Sequence, residues 1–376
     1  MIDISNAMIR QVFSLPDLLL QQNIDLQTKI PKIFDPGEIL AIKKIFLTGC
    51  GDSYAACMAA KYFFESIAGI PAEVVTAIEL GRFLQPFPLS QKDCLVIGVS
   101  NSGGVARVLE AILRANHYGA LTLGITSNPG SGLGTNSKRI LRLEIPSFES
   151  APGTRTYLVS ILALLLLAIH FGELNGYLTS AEIGNYKHDI TSQAELLARM
   201  LPDINSRIFE VANGWKLMEA FDFIGSGPDY ATAWYGHAKI FEAVGKYAMH
   251  INTEDWLHLN FFARKVDCIG RILVADFSNP AASRTKETLD LMNQLTAPNL
   301  VITNGPGPVL GKNSIYVSVP KSQNYILAPL TQFAPLSLLA GYISILINEE
   351  DGRGSKGLWE FSRGGAAVIN SEIIIK

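Results

Sequence analysis

The chain has 376 residues, 48% of them apolar and 17% charged, which is enough for two domains of ordinary size with separate cores. Its 31 basic and 34 acidic residues leave a formal charge of −3, which excludes the basic footprint of a nucleic-acid binder. Four cysteines, Cys50, Cys57, Cys94 and Cys268, form no CxxC pair and no ligand pattern with the six histidines, so buried reduced thiols and no metal are expected.

Residues 1–35 read as an amphipathic helical arm, with Met8, Val12, Leu18 and Leu19 apolar among polar neighbours. The sequence does not open on a basic segment followed by an apolar core, so no secretory signal is expected and the location is expected to be cytoplasmic. From Lys44 short β-branched runs alternate with helical stretches: Ile45–Thr48, Ala72–Thr76, Cys94–Val99, Leu121–Thr126 and Ile140–Leu143 predict five strands within residues 36–176. The greasy run Leu158–Ile169, ended by His170, is too short to span about 30 Å of hydrocarbon. It predicts a buried or interface helix and no membrane partner.

Residues 177–215 predict a helical linker. Asp222–Gly225, Tyr247–Ile251, Ile272–Asp276, Leu300–Thr303 and Ile315–Val319 then repeat the strand count within residues 216–348, which end in a helix over Phe333–Asn348. A Gly-rich tail, residues 349–376, follows. Alternating strands and helices predict an α/β fold of two doubly wound parallel-sheet lobes in tandem. A chain this apolar is expected to hide further surface in a homo-oligomer.

The run from Cys94 to Glu110 passes from an apolar strand through Ser100, Asn101, Ser102, Gly103 and Gly104 into a helix, the layout that receives a phosphate. Serine hydroxyls and free amides can donate to an anion there, and glycines let the backbone come close. The same residues would serve an ordinary serine-rich helix cap. Gly49-Cys50-Gly51-Asp52-Ser53 matches Gly225-Ser226-Gly227-Pro228-Asp229 at an offset of 176, and Ser100-Asn101 matches Ser278-Asn279 at 178. In that second alignment Pro280 replaces Ser102 and alanines replace both glycines, so one anion site is expected for two similar lobes. Ligands of open α/β sheets bind beyond the carboxyl ends of the strands, where Ser53 and Ser100 can meet. The first turn lacks the G-x-G-x-x-G register and no Walker lysine follows, which disfavours a nucleotide.

Gly49-Cys-Gly-Asp-Ser53, Ser100-Asn-Ser-Gly103 and Gly153-Thr-Arg-Thr-Tyr157 together resemble the sugar isomerase (SIS) domain. Gly225 to Tyr230, Ala238 to Glu242 and Glu254 to His258 resemble the catalytic half of the isomerase part of glucosamine-6-phosphate synthase. The resemblance implies two flavodoxin-like SIS lobes and a sugar 6-phosphate held by Ser53, Ser100, Asn101, Ser102 and Gly103. It also implies Glu242 as the enolising base, Lys239 as its neighbour, and His258 as a ring-opening histidine reaching in from the other subunit of a homodimer. Gly51, Asp52, Thr154 and Arg155 are further candidates: Asp52 as a helix cap, Arg155 as a second cation near the phosphate or a surface residue.

Three departures from the family pattern stand out: Val105 where the family has a threonine, Tyr235 where the synthase has a glutamate, and no clear counterpart of its tail lysine. Lys356 and Arg363 are the tail's candidates for that last role. No glutaminase domain precedes the first lobe, and Met1-Ile2 offers no cysteine nucleophile, so glutamine-dependent synthesis is not expected.

Moving a carbonyl between C1 and C2 needs one carboxylate over that edge to take a proton and return it. Glu242, expected inside a helix over Ala233–Val244 with Phe241, Ala243 and Val244 as neighbours, would gain a raised pKa from burial. It would otherwise be a surface partner of Lys239 or Lys246. Thr253 can cap the helix that carries His258. Lys239 is read as an orienting ion-pair partner, and an imine there would need a lowered pKa. The expected function is enediol or enolamine chemistry without metal or organic cofactor: an amino-sugar-phosphate deaminase, a 6-phospho-ketosamine deglycase or an aldose-ketose isomerase. A non-catalytic phosphosugar sensor is the alternative.

Overall fold

The computed structural model describes residues 5–85, 93–264, 266–295, 299–305, 314–349 and 366–375. Two five-stranded sheets, wholly parallel, organise them. The first takes β1 (Lys44–Gly49), β2 (Ala72–Val74), β3 (Cys94–Val99), β4 (Leu121–Thr126) and β5 (Arg139–Arg142) in the order β2-β1-β3-β4-β5. The second takes β6 (Ala220–Ile224), β7 (Tyr247–Ile251), β8 (Ile269–Ala275), β9 (Asn299–Thr303) and β10 (Ser314–Ser318) in the order β10-β9-β8-β6-β7. Read from its other edge, the second order is the same as the first: the flavodoxin-like winding, whose reversal point lies between the first and third strands.

Burial explains why these segments are strands. All six residues of β3 and all five of β9 are buried, as expected where helices cover both faces of a parallel sheet. The edge strands β5 and β7 alternate instead, because one of their faces meets solvent.

The described residues divide into two compact units. One gathers those within Met1–Asp17, Phe148–Thr154 and Asp189–Arg353; the other gathers those within Leu18–Ser147, Arg155–His188 and Gly354–Lys376. The N-terminal arm is therefore two elements, the helix Ala7–Phe13 in the unit of the second sheet and the helix Leu15–Lys29 in the unit of the first. Asn6 caps the former, accepting from the Ile9 amide, and its Nδ2 donates to the Gly341 carbonyl at 3.2 Å. The predicted linker is the helix Ser180–Trp215, and the boundary between the units falls within it.

The apolar run over Leu158–Ile169 lies in a longer helix, Arg155–Leu174, whose 20 residues are long and apolar enough to cross a membrane, as are those of Tyr325–Leu346. The length argument is therefore corrected: what marks these helices as core is burial, 83% and 100% of their most apolar windows. Phe171 shows how the first is packed, with its ring edge-on to Phe34 at 5.7 Å and to Phe64 at 5.9 Å.

Equivalent points of the two lobes keep one spacing. The helices that follow β1 and β6 begin at Asp52 and Pro228, behind Gly51 (φ 57°) and Gly227 (φ 62°). The helices that follow β3 and β8 begin at Ala106 and Ala282, and the same turn precedes each, with Gly103 N–H donating to Ser100 O and Asn279 N–H to Asp276 O, both at 3.0 Å. The offset is 176 throughout, which corrects the match of Ser100 with Ser278. Asp276 is the counterpart of Ser100, Ser278 of Ser102, Asn279 of Gly103 and Pro280 of Gly104.

Candidate functional site

In the first lobe Gly49 of β1 stands opposite Val99 of β3, so the Gly49–Ser53 turn and the Ser100–Gly104 loop leave neighbouring strand ends at the topological switch. Gly51 and not Asp52 occupies the helix N-cap, and Ser53 lies half-buried in the first turn. Ser100, Asn101 and Ser102 are not caps either: the next helix starts at Ala106 behind Val105, so they form a free-standing loop. The Ser100 hydroxyl accepts from the Gly103 amide at 3.2 Å, and the Ser102 hydroxyl accepts from the Gly104 amide at 3.3 Å.

Asn101 faces the β4 end. Its Oδ1 accepts from the Ser127 hydroxyl at 2.6 Å, and its carbonyl accepts from the Ser127 amide. Gly103 is required twice over: its φ is +66°, and a Cβ there would lie 1.9 Å from Ser131 Oγ.

A cluster without a sequence assignment borders this loop. Arg107, in the first turn after it, donates to Glu110, to the Glu372 carbonyl and to Ser371 Oγ. Glu110, fully buried, also accepts from Arg82 and from the Ile374 amide. Burial alone would push the Glu110 carboxyl up, but that amide and the two guanidinium groups hold it below the usual range. The C-terminal segment is thereby fixed beside the loop, and Ile369 lies 4.0 Å from where a Cβ on Gly104 would sit. The three-residue spacing of Arg107 and Glu110 was the readable signal. Lys356 and Arg363 lie outside the described residues. Cys50 is exposed, whereas burial pushes the Cys94 thiol up to about 12.

In the second lobe the helix Pro228–Lys239 passes into a π-helical turn, Ile240–Val244, closed by Gly245 at φ 70°. The expected uninterrupted helix over Ala233–Val244 is therefore replaced, and a widened turn carries Glu242. The expected burial of Glu242 is overturned as well: its side chain is 40% exposed, and the buried partner is Lys239, at 0%, whose Nζ donates to Glu242 Oε2 at 2.5 Å. Lys239 Nζ also sits 5.0 Å from the centre of the Tyr235 ring. Thr154 is buried against this group, 3.4 Å from the Tyr235 hydroxyl. Arg155 is no surface residue: it is buried, donates to the Pro146 carbonyl and has its pKa lowered by burial.

The second copy of the anion loop is filled by its own side chains. Asp276 Oδ1 accepts from the amide and the hydroxyl of Ser278. Asp229, buried below, accepts from the Asp276 amide, Asn279 Nδ2 and Gln332 Nε2. Burial raises the Asp229 carboxyl to about 7 against those three donors, with the nearby Asp276 adding to the rise. A carboxylate where the first lobe has Ser100 repels a second anion.

His258 closes the helix Thr253–His258, capped by Asn252 and not by Thr253; Asn252 Oδ1 accepts from the Asp255 amide at 2.8 Å. Its ring is 69% exposed, with Nε2 3.0 Å from Glu254 Oε1. Large apolar residues of the same unit are exposed with it: Phe241 and Met249, both 43%, Tyr247 80%, Leu259 64% and Phe262 71%. Beneath them His237 and His250, given no role by sequence, meet with ring centroids 4.3 Å apart. Burial, then the charge of His237, pushes His250 down to about 4.

Residues 38–170 match the SIS domain family. The chain is 26% identical over 318 residues to a glutamine–fructose-6-phosphate aminotransferase (isomerizing) of Clostridium tetani, a match covering 81% of this chain and 49% of that protein. It thus spans about half the length of the curated relatives it matches. The C-terminal domain of glucosamine-fructose-6-phosphate aminotransferase from Francisella tularensis superposes with a TM-score of 0.85 at 19% identity, over 93% of this chain and 98% of that one. A glucosamine-6-phosphate deaminase from Thermotoga maritima gives 0.68 at 18% identity, over 92% and 96%. The family match is confined to residues 38–170, and the fold of the whole chain, two parallel α/β lobes in tandem, is that of the F. tularensis domain.

Proposed function

We propose that the protein is an enzyme of sugar 6-phosphates that moves a proton between C1 and C2 through an enediol or enolamine. The observation that carries this reading is the half-exposed Glu242 carboxylate fixed on the fully buried Lys239. One carboxylate oxygen is committed to the ammonium, while the exposed part of the side chain can face a substrate C–H. In the first lobe, the Gly103 amide is shared between the Ser100 carbonyl at 3.0 Å and the Ser100 hydroxyl at 3.2 Å, and the Gly104 amide donates to the Ser102 hydroxyl at 3.3 Å. A phosphate dianion offers them shorter, charge-assisted bonds, with Ser53, Ser100 and Ser102 as further donors. The names of the C. tetani and T. maritima proteins both carry a hexose 6-phosphate, which supports the substrate class.

Three reactions share this enolisation: release of ammonia from an amino-sugar phosphate, release of an amine from a 6-phospho-ketosamine, and aldose-ketose exchange. A panel of hexose, hexosamine and ketosamine 6-phosphates in deuterium oxide separates them. The true substrate takes up deuterium at C1 or C2, and ammonia or amine release identifies a C–N cleavage. Binding of every active member without any exchange would replace the enzyme by a phosphosugar sensor.

The apolar face around β7 and His258 supports a homodimer in which a second copy covers Tyr247, Leu259 and Phe262. His258 then serves the partner's site as the ring-opening acid. Mixing Glu242→Gln with His258→Asn protein is expected to restore up to about a quarter of wild-type activity, the share of sites with both residues intact under random exchange between C2 partners. A mixture as inactive as its parents, with exchange of subunits demonstrated, refutes the cross-subunit histidine.

A further inference from the structure

The Lys239–Glu242 pair has a third member. Tyr235 lies one helical turn before Lys239, fully buried, with its ring face 5.0 Å from Lys239 Nζ. Its hydroxyl is fixed by the Gly153 carbonyl at 3.0 Å, by Ser337 Oγ at 2.8 Å and by Thr154 Oγ1 at 3.4 Å, and Phe333 packs edge-on against its ring at 5.3 Å. Two separate segments, 153–154 and 333–337, thus hold the ring. A buried lysine ordinarily sheds its proton, because desolvation penalises the ammonium. Here the ammonium has a carboxylate on one side and the negative face of an aromatic ring on another, two interactions that strengthen when water is excluded.

We propose that Tyr235 is a positioning residue: its ring keeps Lys239 an ammonium aimed at Glu242, so that Lys239 orients the base and does not itself form an imine with the sugar carbonyl. This rests on the reading of Glu242 as the base. The other groups around Lys239 fit the assignment. His237 lies close enough for the lysine charge to lower its pKa, and through His237 comes His250 of β7. The helix Ala334–Leu346 brings Ser337 but no charged residue, and Gly153 and Thr154 bring none.

The test uses the full-length protein labelled with 13C,15N-lysine, the Lys239 signal being assigned through Lys239→Arg. Tyr235→Phe keeps the ring and is expected to leave the Lys239 titration in place. Tyr235→Leu is expected to move it to lower pH by about 1.5 units, the size of a desolvated cation–π contact. On the substrate found by the panel, Tyr235→Leu moves the alkaline limb of the kcat/KM profile to lower pH and lowers kcat with little change in KM, which a merely structural role would not do. If Tyr235→Leu does not fold, Tyr235→Met, similar in volume but without a π face, takes its place. The NMR arm needs no turnover, so failure of the enzyme reading leaves it readable. Unmoved Lys239 titration in the folded ringless variant, or a borohydride-trapped sugar adduct on Lys239 of the wild type, overturns the proposal.

Discussion

Glu242→Gln is expected to abolish turnover while leaving binding intact. The amide keeps the shape of the side chain and can still accept from Lys239 Nζ, now 2.5 Å from the carboxylate, but it cannot take a proton from carbon. Loss of a positioned general base costs about 10²- to 10⁴-fold in kcat, roughly 3–5 kcal/mol of barrier. The first-lobe loop is untouched, so a sugar 6-phosphate is expected to raise the melting temperature of the variant as much as that of the wild type. Solvent deuterium uptake at C1 and C2 measures the chemical step directly. Undiminished exchange in this variant would remove Glu242 from the mechanism.

Gly103→Val tests the first-lobe loop. A β-branched residue does not adopt a φ of +66°, and its Cβ would meet Ser131 Oγ at 1.9 Å and Thr126 Oγ1 at 2.8 Å. The strain alone is about 1–3 kcal/mol, so the loop must rebuild and the amides of Gly103 and Gly104 turn away. At a ligand concentration of about 100 times Kd the wild type gains roughly 2.7 kcal/mol from binding, and the variant should gain almost none. Calorimetric melting with and without the phosphate ester reads both effects. A variant still stabilised by the ester would place the phosphate elsewhere.

Much of the fold was legible because a doubly covered parallel strand writes itself as an unbroken apolar run. Cys94–Val99 and Leu121–Thr126 have the bounds expected from sequence, and so does the edge strand Tyr247–Ile251, whose exposure alternates instead. The register between the lobes was less legible. Pairing Ser100 with Ser278 followed matching letters, whereas the chain preserves the turn, in which an acid stands opposite a serine.

Glu242 illustrates a second limit. Apolar neighbours along the sequence suggested burial, but one of them, Phe241, is itself 43% exposed, and a π-helical turn re-aims the whole segment in a way that no 3.6-residue periodicity contains. The contacts of Tyr235 with Gly153 and Ser337 join residues 82 and 102 positions away, beyond any local pattern.

The Asp276 carboxylate gives the tandem architecture its asymmetry. Where the first lobe has the Ser100 hydroxyl, the second carries a carboxylate of its own, held by the amide and the hydroxyl of Ser278. A tethered acceptor cannot dissociate, so the duplicated loop keeps these hydrogen bonds without a bound ligand. The helix Pro228–Lys239, whose Asp229 accepts from the Asp276 amide, therefore starts at a loop that needs no ligand to complete its hydrogen bonds.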